Sequence, residues 1–479
     1  MSTPRADRRA MSVVVTVVGL FCAAGLYRAV AALFLYVPLD PNEGWNAYLA
    51  AAAVSGRPLY PGPQQFLVNN YPPLSFYLVG GLGRALKDDI FAGRMVALLS
   101  FFTVAGLIAA VARKMGASAL PAIFGAAFFS SVLLLESDYV GMDDPQLLGH
   151  ALQLVALSIL LRESRSLGVL VAAALLLVIA LFVKHILFIL PVAVFAWLLL
   201  VDRRRALTLG AFFLAFGILG LLWFRSAFGT GLLGHLVSPR GWSLSNLESG
   251  LSHSWGWLLL PLAGLGWLLV KEPESRYAKF CVIYSALALA MGLVSLGGDG
   301  VDVNALFDAA IALSLTAALV LDVVSRRWAL SSVAALALVS PLAIILFICI
   351  DSDWYTNAFW TRPWSDENRT SEADVAFLKS VRGPALCETL ALCYWAGKPD
   401  AFDVFNLSEA YTAGTLSPRP LLAAIGQDRF AVVEFESPKS ALSLGRSFLD
   451  AFESHYVQSR VSDDGYFFVP RRAATPRAP

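Results

Sequence analysis

Residues 167–201 read LGVLVAAALLLVIALFVKHILFILPVAVFAWLLLV, an apolar run broken only by Lys184-His185. As one helix these 35 residues would extend about 52 Å at 1.5 Å per residue, against a hydrocarbon core of about 30 Å. The run therefore divides into two short spans, 167–183 and 186–201, that meet at a tight turn around Lys184-His185. The division matters because a single long, tilted helix would invert every later loop.

Outward from this point, apolar stretches recur as far as Ile350. Of the 479 residues 57% are hydrophobic and 15% charged, too apolar for a soluble globular chain. The spans are placed at 11–37, 91–112, 118–135, 146–161, 167–183, 186–201, 206–224, 254–270, 278–296, 305–323 and 329–350, about 11 in all. The basic groups Arg5 to Arg9, Arg113-Lys114, Arg162 with Arg165, Arg203-Arg204-Arg205, Lys271 to Lys279 and Arg326-Arg327 then share one side, which the positive-inside rule makes cytoplasmic. Asp40 and Glu43, Asp138 to Asp144, and Asp299 with Asp302 share the other. Charge and span count agree on an N-terminus in the cytoplasm and a C-terminal region outside it. The first span follows a basic stretch and lacks a clear cleavage site, so it is read as retained.

The fold class expected is a polytopic α-helical membrane protein carrying a small C-terminal α/β domain. Residues 1–350 form the membrane domain, 351–370 a linker and 371–479 the second domain. Within the latter, 371–381 and 440–452 have helical spacing, while 430–435 and 465–469 read as strands. Cys22, Cys281 and Cys349 lie in apolar runs. Cys387 and Cys393 could pair only in an oxidising compartment, and paired and unpaired readings both stand. A net charge of +1 gives no basic excess for nucleic acid.

Asp40 and Glu43 are three residues apart in the first loop, so on a helix both carboxylates point the same way. One can serve as a base for an acceptor hydroxyl while the other orients it or holds a divalent cation. The alternative is a solvated loop end with an Asp-Pro turn. Asp143-Asp144 forms a second acidic loop close to the membrane surface, where Asp144 before Pro145 also suits a helix N-cap. Lys184-His185 places a cation where it could meet the phosphate of a lipid carrier, or could simply snorkel to water. Arg57 and Arg94 are further candidates for that phosphate. Asn70-Tyr71-Pro72-Pro73 forces an extended, rigid segment that would hold Tyr71 at a cavity rim. Gly297 to Asn304 forms a flexible turn.

Taken together these residues resemble the membrane glycosyltransferases of the GT-C fold, in particular a bacterial branch similar to protein mannosyltransferases and lipid A aminoarabinose transferases. The likeness rests on Asp40-x-x-Glu43-x-x-x-x-Tyr48, Ser55-Gly56-Arg57-Pro58-Leu59-Tyr60 and Tyr71-Pro72-Pro73-Leu74-x-x-Tyr77-Leu78. Met142 to Pro145, Val183-Lys184-His185 with Leu190-Pro191, and Val303 to Asp308 extend it. Asp308 stands where relatives carry Glu, no aromatic follows Asn304, and Tyr71 replaces a lysine of the aminoarabinose branch. The resemblance implies a polyprenyl-phosphate-linked sugar as donor, entering from the outer leaflet of a bacterial inner membrane. It implies a lipid, glycan or protein acceptor, and a single displacement that inverts the anomeric centre. On that pattern Asp40 is the general base, with Glu43 and Asp144 supporting it or binding a cation. Lys184 and Arg57 stabilise the leaving phosphate, and Tyr71, Asp143, His185 and Asn304 line the substrate site. Whether a divalent metal takes part stays open. A transporter or flippase of lipid-linked saccharides is the alternative from another class, and an assembly or ligase-type protein a third.

Overall fold

The computed structural model describes residues 4–60, 62, 66–136, 138–162, 166–229, 240–348 and 364–474. In chain order the first part comprises α1 (Pro4–Ala32), α2 (Pro41–Ser55), α3 (Leu74–Leu86), α4 (Asp89–Lys114), α5 (Ala119–Glu136), α6 (Gln146–Leu160), α7 (Leu167–Val183), α8 (Ile189–Val201), α9 (Arg203–Phe228), α10 (Leu244–Lys271), α11 (Arg276–Leu296), α12 (Phe307–Trp328) and α13 (Ser331–Ile348). Every apolar stretch singled out in the sequence overlaps one of these helices, with residues 349–350 of the last stretch outside the described residues. Among the described residues six of them, α1, α4 and α9 to α12, are long and apolar enough to cross a membrane, and α3, α5 to α8 and α13 are shorter apolar helices.

The run 167–201 breaks at Lys184. Its backbone is extended, at φ −150° and ψ 115°, and α8 resumes only at Ile189. Pro191 sits in the first turn of α8, where a missing N–H costs nothing. The second span therefore starts later than residue 186, because the turn itself uses residues 184–188. The first span also differs, since α1 stops at Ala32 rather than reaching residue 37. The guanidinium of Arg94 donates to the carbonyls of Ala32, Leu35 (3.0 Å) and Val37 (2.5 Å), which draws this chain away from helical pairing.

At the centre lies α12, whose residues from Phe307 to Val324 are all buried. A helix apolar around its whole circumference belongs inside a bundle. Its hydroxyls are satisfied locally, Ser314 donating to the carbonyl of Ala310 (2.6 Å) and Thr316 to that of Ala312 (2.9 Å). At one end of the bundle Asp7 of α1 accepts from the backbone N–H groups of Ser331 (3.1 Å) and Ser332 (3.0 Å), capping α13. The basic N-terminus and the Arg326-Arg327 turn thus share one end, as the loop charges require.

The C-terminal unit contains α14 (Trp364–Ser380), β1 (Ala385–Cys387), α15 (Leu390–Trp395), α16 (Val404–Thr412), α17 (Arg419–Gly426), β2 (Val432–Phe435), α18 (Ser440–Ser443), α19 (Arg446–His455), β3 (Tyr456–Val461), β4 (Tyr466–Pro470) and α20 (Arg471–Ala474). Its sheet has the order β1-β2-β4-β3, with β1 and β2 parallel and the other neighbours antiparallel. The helix expected over 440–452 is divided at Gly445, which takes φ 102°. Helix α14 already begins at Trp364, within the stretch read as linker, and the start of that stretch lies outside the described residues. Cys387 and Cys393 form a disulfide joining the end of β1 to α15. Cys22 and Cys281 are free and buried, and Cys349 lies outside the described residues.

This unit is packed tightly on the first loop. A Cβ placed on Gly44 of α2 would lie 2.2 Å from the backbone nitrogen of Ala391 in α15, a backbone approach only glycine permits. The Tyr48 hydroxyl donates to the carbonyl of Lys398 (2.8 Å), and the Tyr394 hydroxyl to Asp89 (2.9 Å). Phe66, from between α2 and α3, is buried in the core of the C-terminal unit against Phe430. Gly44→Ala is accordingly expected to cost about 1–3 kcal/mol or more through overpacking. Limited proteolysis in detergent should then release the C-terminal unit faster than from the parent protein.

Candidate active site

Between the bundle and the C-terminal unit lies a cavity of about 780 Å³. Of the candidate site residues Asp40, Tyr71, Lys184, His185 and Asn304 line it, joined by Asn70, Asp302 and Asp308 from the segments singled out in the sequence. The C-terminal unit contributes Glu388, Asp403, Phe405 and Glu436 to the facing wall.

Asp40 caps α2, its carboxylate accepting from the backbone N–H of Asn42 at 2.7 Å, with Pro41 at the first helical position. The remaining acceptor capacity of the carboxylate is available to the cavity. Burial pushes its pKa up to about 6; the Asn42 N–H opposes this, and repulsion from Glu43 and Asp144 adds to it. Near neutral pH it is an ionised carboxylate with more basicity than an ordinary aspartate, which suits a general base.

Glu43 is fully buried and does not reach the cavity wall. It forms a two-pronged pair with Arg94, with Nε to Oε1 and Nη2 to Oε2 both at 2.7 Å. It also accepts from the backbone N–H groups of Leu39 (2.9 Å) and Asp143 (3.2 Å). This pair ties the two acidic loops together, and neither Glu43 nor Arg94 is on the cavity wall. Arg94→Ala would strand a buried carboxylate, with an expected loss of about 3–5 kcal/mol. That would appear as a lowered unfolding midpoint of the detergent-purified protein.

Lys184 reaches the cavity from the α7–α8 break, its Nζ 3.1 and 3.0 Å from the two carboxylate oxygens of Asp144. Asp144 also accepts from the backbone N–H of Gln146 at 2.7 Å, so it stands behind Lys184 as a backing charge. Burial works against the ammonium, but Asp144 and Tyr71 outweigh it and leave the lysine pKa raised. The Nζ sits 4.9 Å from the centre of the Tyr71 ring, a cation–π contact that aims it inward. His185 beside it is pushed down to about 4 by burial and by the charges of Lys184 and Arg240. A neutral histidine between two cations marks a region of positive potential.

Asn304 is held by a reciprocal pair with Gln146, donating to its side-chain oxygen (2.9 Å) and accepting its amide on the backbone carbonyl (2.7 Å). Asp143 is buried beneath the wall with Oδ2 lacking a hydrogen-bond partner, and burial with repulsion from Glu43 and Asp144 pushes its pKa well up. Arg57 is exposed and bonded to Ser55, away from the cavity. The second cation that lines it beside Lys184, Arg240, was not singled out in the sequence; neither were Gln146, Glu436 and Asp403. Glu388 was not singled out either. Both glutamates follow buried strand residues directly, and that pattern is their one sequence signal.

The two carboxylates considered as metal ligands, Glu43 and Asp144, are each engaged by a basic side chain. Among the described residues no three His, Cys, Asp or Glu side chains converge as a metal site. The donor set does not fit a divalent cation held by these residues.

No family model matches the sequence, and no curated relative matches it. The architecture is that of the GT-C fold membrane proteins. The crystal structure of ArnT from Cupriavidus metallidurans bound to undecaprenyl phosphate is similar at a TM-score of 0.60 and 14% identity, covering 95% of this chain and 98% of that one. Its apo state gives a TM-score of 0.62 at 14% identity, covering 95% and 97%. The Archaeoglobus fulgidus oligosaccharyltransferase in complex with Zn and sulfate gives 0.50 at 12% identity, covering 97% of this chain and 74% of that one. At these identities the likeness establishes the fold.

Proposed function

We propose that this protein is a membrane glycosyltransferase that moves a sugar from a polyprenyl-phosphate donor to an acceptor hydroxyl at the outer face of a bacterial inner membrane. The observation that carries it is the placement of a basic carboxylate, Asp40, and a buried cation, Lys184, on the walls of one cavity. The ArnT structure bound to undecaprenyl phosphate supports a donor of that lipid class. The basic turns gathered at one end of the bundle support a cytoplasmic N-terminus and a C-terminal unit outside.

In this reading Asp40 takes the proton of the acceptor hydroxyl as its oxygen bonds to the anomeric carbon. The bond from that carbon to the phosphate oxygen breaks, and the lipid phosphate leaves with the electron pair. One displacement inverts the centre. Lys184, with Arg240 in place of the distant Arg57, stabilises the charge that develops on the phosphate at a poorly hydrated site. Tyr71 and Asn304 shape the cavity walls around the sugar.

Deleting the gene in its host and comparing the sugars on lipids, polysaccharides and secreted proteins by mass spectrometry tests this directly. Loss of one sugar from one class of acceptor is the expected result. An unchanged glycan profile would overturn it in favour of a transport role.

A further inference from the structure

The C-terminal unit does more than cover the cavity. Glu388 directly follows β1 and Glu436 directly follows β2, and these are the two parallel strands of the sheet. In open α/β sheets groups at the carboxyl ends of parallel strands are the ones that meet ligands, and here those ends face the cavity. The Glu388 carboxylate accepts the backbone N–H of Glu436 at 2.9 Å, which fixes the turn that carries Glu436. Glu436 keeps solvent-exposed surface and lines the same cavity as the half-buried Asp40, whose charge acts on its carboxylate.

Resting on the transferase reading above, we infer that Glu436 is the proton-exit residue of the reaction, taking from Asp40 the proton that Asp40 has removed from the acceptor hydroxyl and releasing it to bulk water. The proton moves from hydroxyl to Asp40, from Asp40 to Glu436, and from Glu436 to solvent, so Asp40 is ionised again before the next acceptor arrives. No redox partner or further reactant is needed.

The surroundings fit that direction of transfer. The cavity walls desolvate the Glu436 carboxylate, and repulsion from Glu388 and Asp40 adds to the effect, raising it to about 7, above Asp40 at about 6. The other charged and titratable groups lining the cavity are Asp403 at the start of α16, Asp302 ahead of α12 and Asp308 in its first turn, Tyr71 and Tyr139, and the cations Lys184 and Arg240 with His185. Transfer from Asp40 to Glu436 is therefore favourable, and release from Glu436 to bulk water becomes so above about pH 7. Below about pH 7 Glu436 is itself protonated and the exit is blocked.

The test uses membranes of a host lacking its own copy and expressing the full chain, charged with radiolabelled nucleotide sugars so that resident polyprenyl phosphates supply the donor. In the parent protein turnover should rise as the pH passes through about 7. Glu436→Gln should lower turnover roughly 10- to 100-fold with little change in the acceptor concentration at half-maximal rate. Glu436→Asp should recover much of the loss, and added imidazole should restore the Gln variant by accepting the proton from solution. An unchanged pH profile and rate in Glu436→Gln would overturn the inference, as would a loss that neither Asp nor imidazole repairs. Absence of transfer by the parent protein at every pH would instead sink the transferase reading itself.

Discussion

Asp40→Asn is expected to lower sugar transfer by about 10² or more while the protein still inserts, folds and binds lipid. The substitution separates two roles of one side chain. Asparagine is as good a helix N-cap as aspartate, so the bond to the Asn42 N–H and the start of α2 survive. The amide cannot take a proton from a hydroxyl. Below the limb near pH 7 set by Glu436, the parent protein should lose activity further as the pH falls through about 6, because burial and the neighbouring acids set the Asp40 carboxyl there and only the ionised form is a base. The Asn variant should show a low residual rate without that acid limb. Labelled-sugar transfer in membranes, measured across pH, checks both, and full transfer by the Asn variant would exclude Asp40 as the base.

Lys184→Ala should reduce transfer by about 10²–10³, the usual cost of removing one donor that stabilises developing charge. The loss should fall on use of the lipid-linked donor more than on the acceptor. The bare substitution also strands Asp144, which sits within 3.1 Å of Nζ on both oxygens, so some loss of stability is expected with it. Lys184→Ala combined with Asp144→Asn removes the stranded charge. The double variant should regain its unfolding midpoint but not its donor use. If donor and acceptor use fell equally, or if the double variant recovered both, Lys184 would be a packing residue.

The helical body was legible because long apolar runs and basic turns have few alternative explanations. The break at Lys184 was legible because a charged pair in the middle of 35 apolar residues has nowhere else to go. Helix ends were less so: nothing local in residues 33–37 announces that Arg94, from another helix, will claim their carbonyls. In the C-terminal unit β2 and β4 could be seen from their apolar and aromatic content. β1 spans only three residues, and β3, Tyr-Val-Gln-Ser-Arg-Val, exposes polar side chains along its length, so neither carries a strong pattern. Asp40 and Lys184 were accessible to sequence reasoning because each is an ionisable group at the edge of an apolar run. The partition between wall and support was not. Glu43 and Asp40 look equivalent in sequence, and only the distant Arg94 turns one of them inward.

The contact between Gly44 and Ala391 bears on how the molecule comes into being. The segment holding Asp40 is synthesised well before the backbone around Ala391 that seats against it. Until that backbone is made the nascent chain has a first loop without its counterpart, so the cavity gains its second wall only after the helical body has been synthesised. A truncated product ending after α13 would lack the wall that Glu388, Asp403, Phe405 and Glu436 supply.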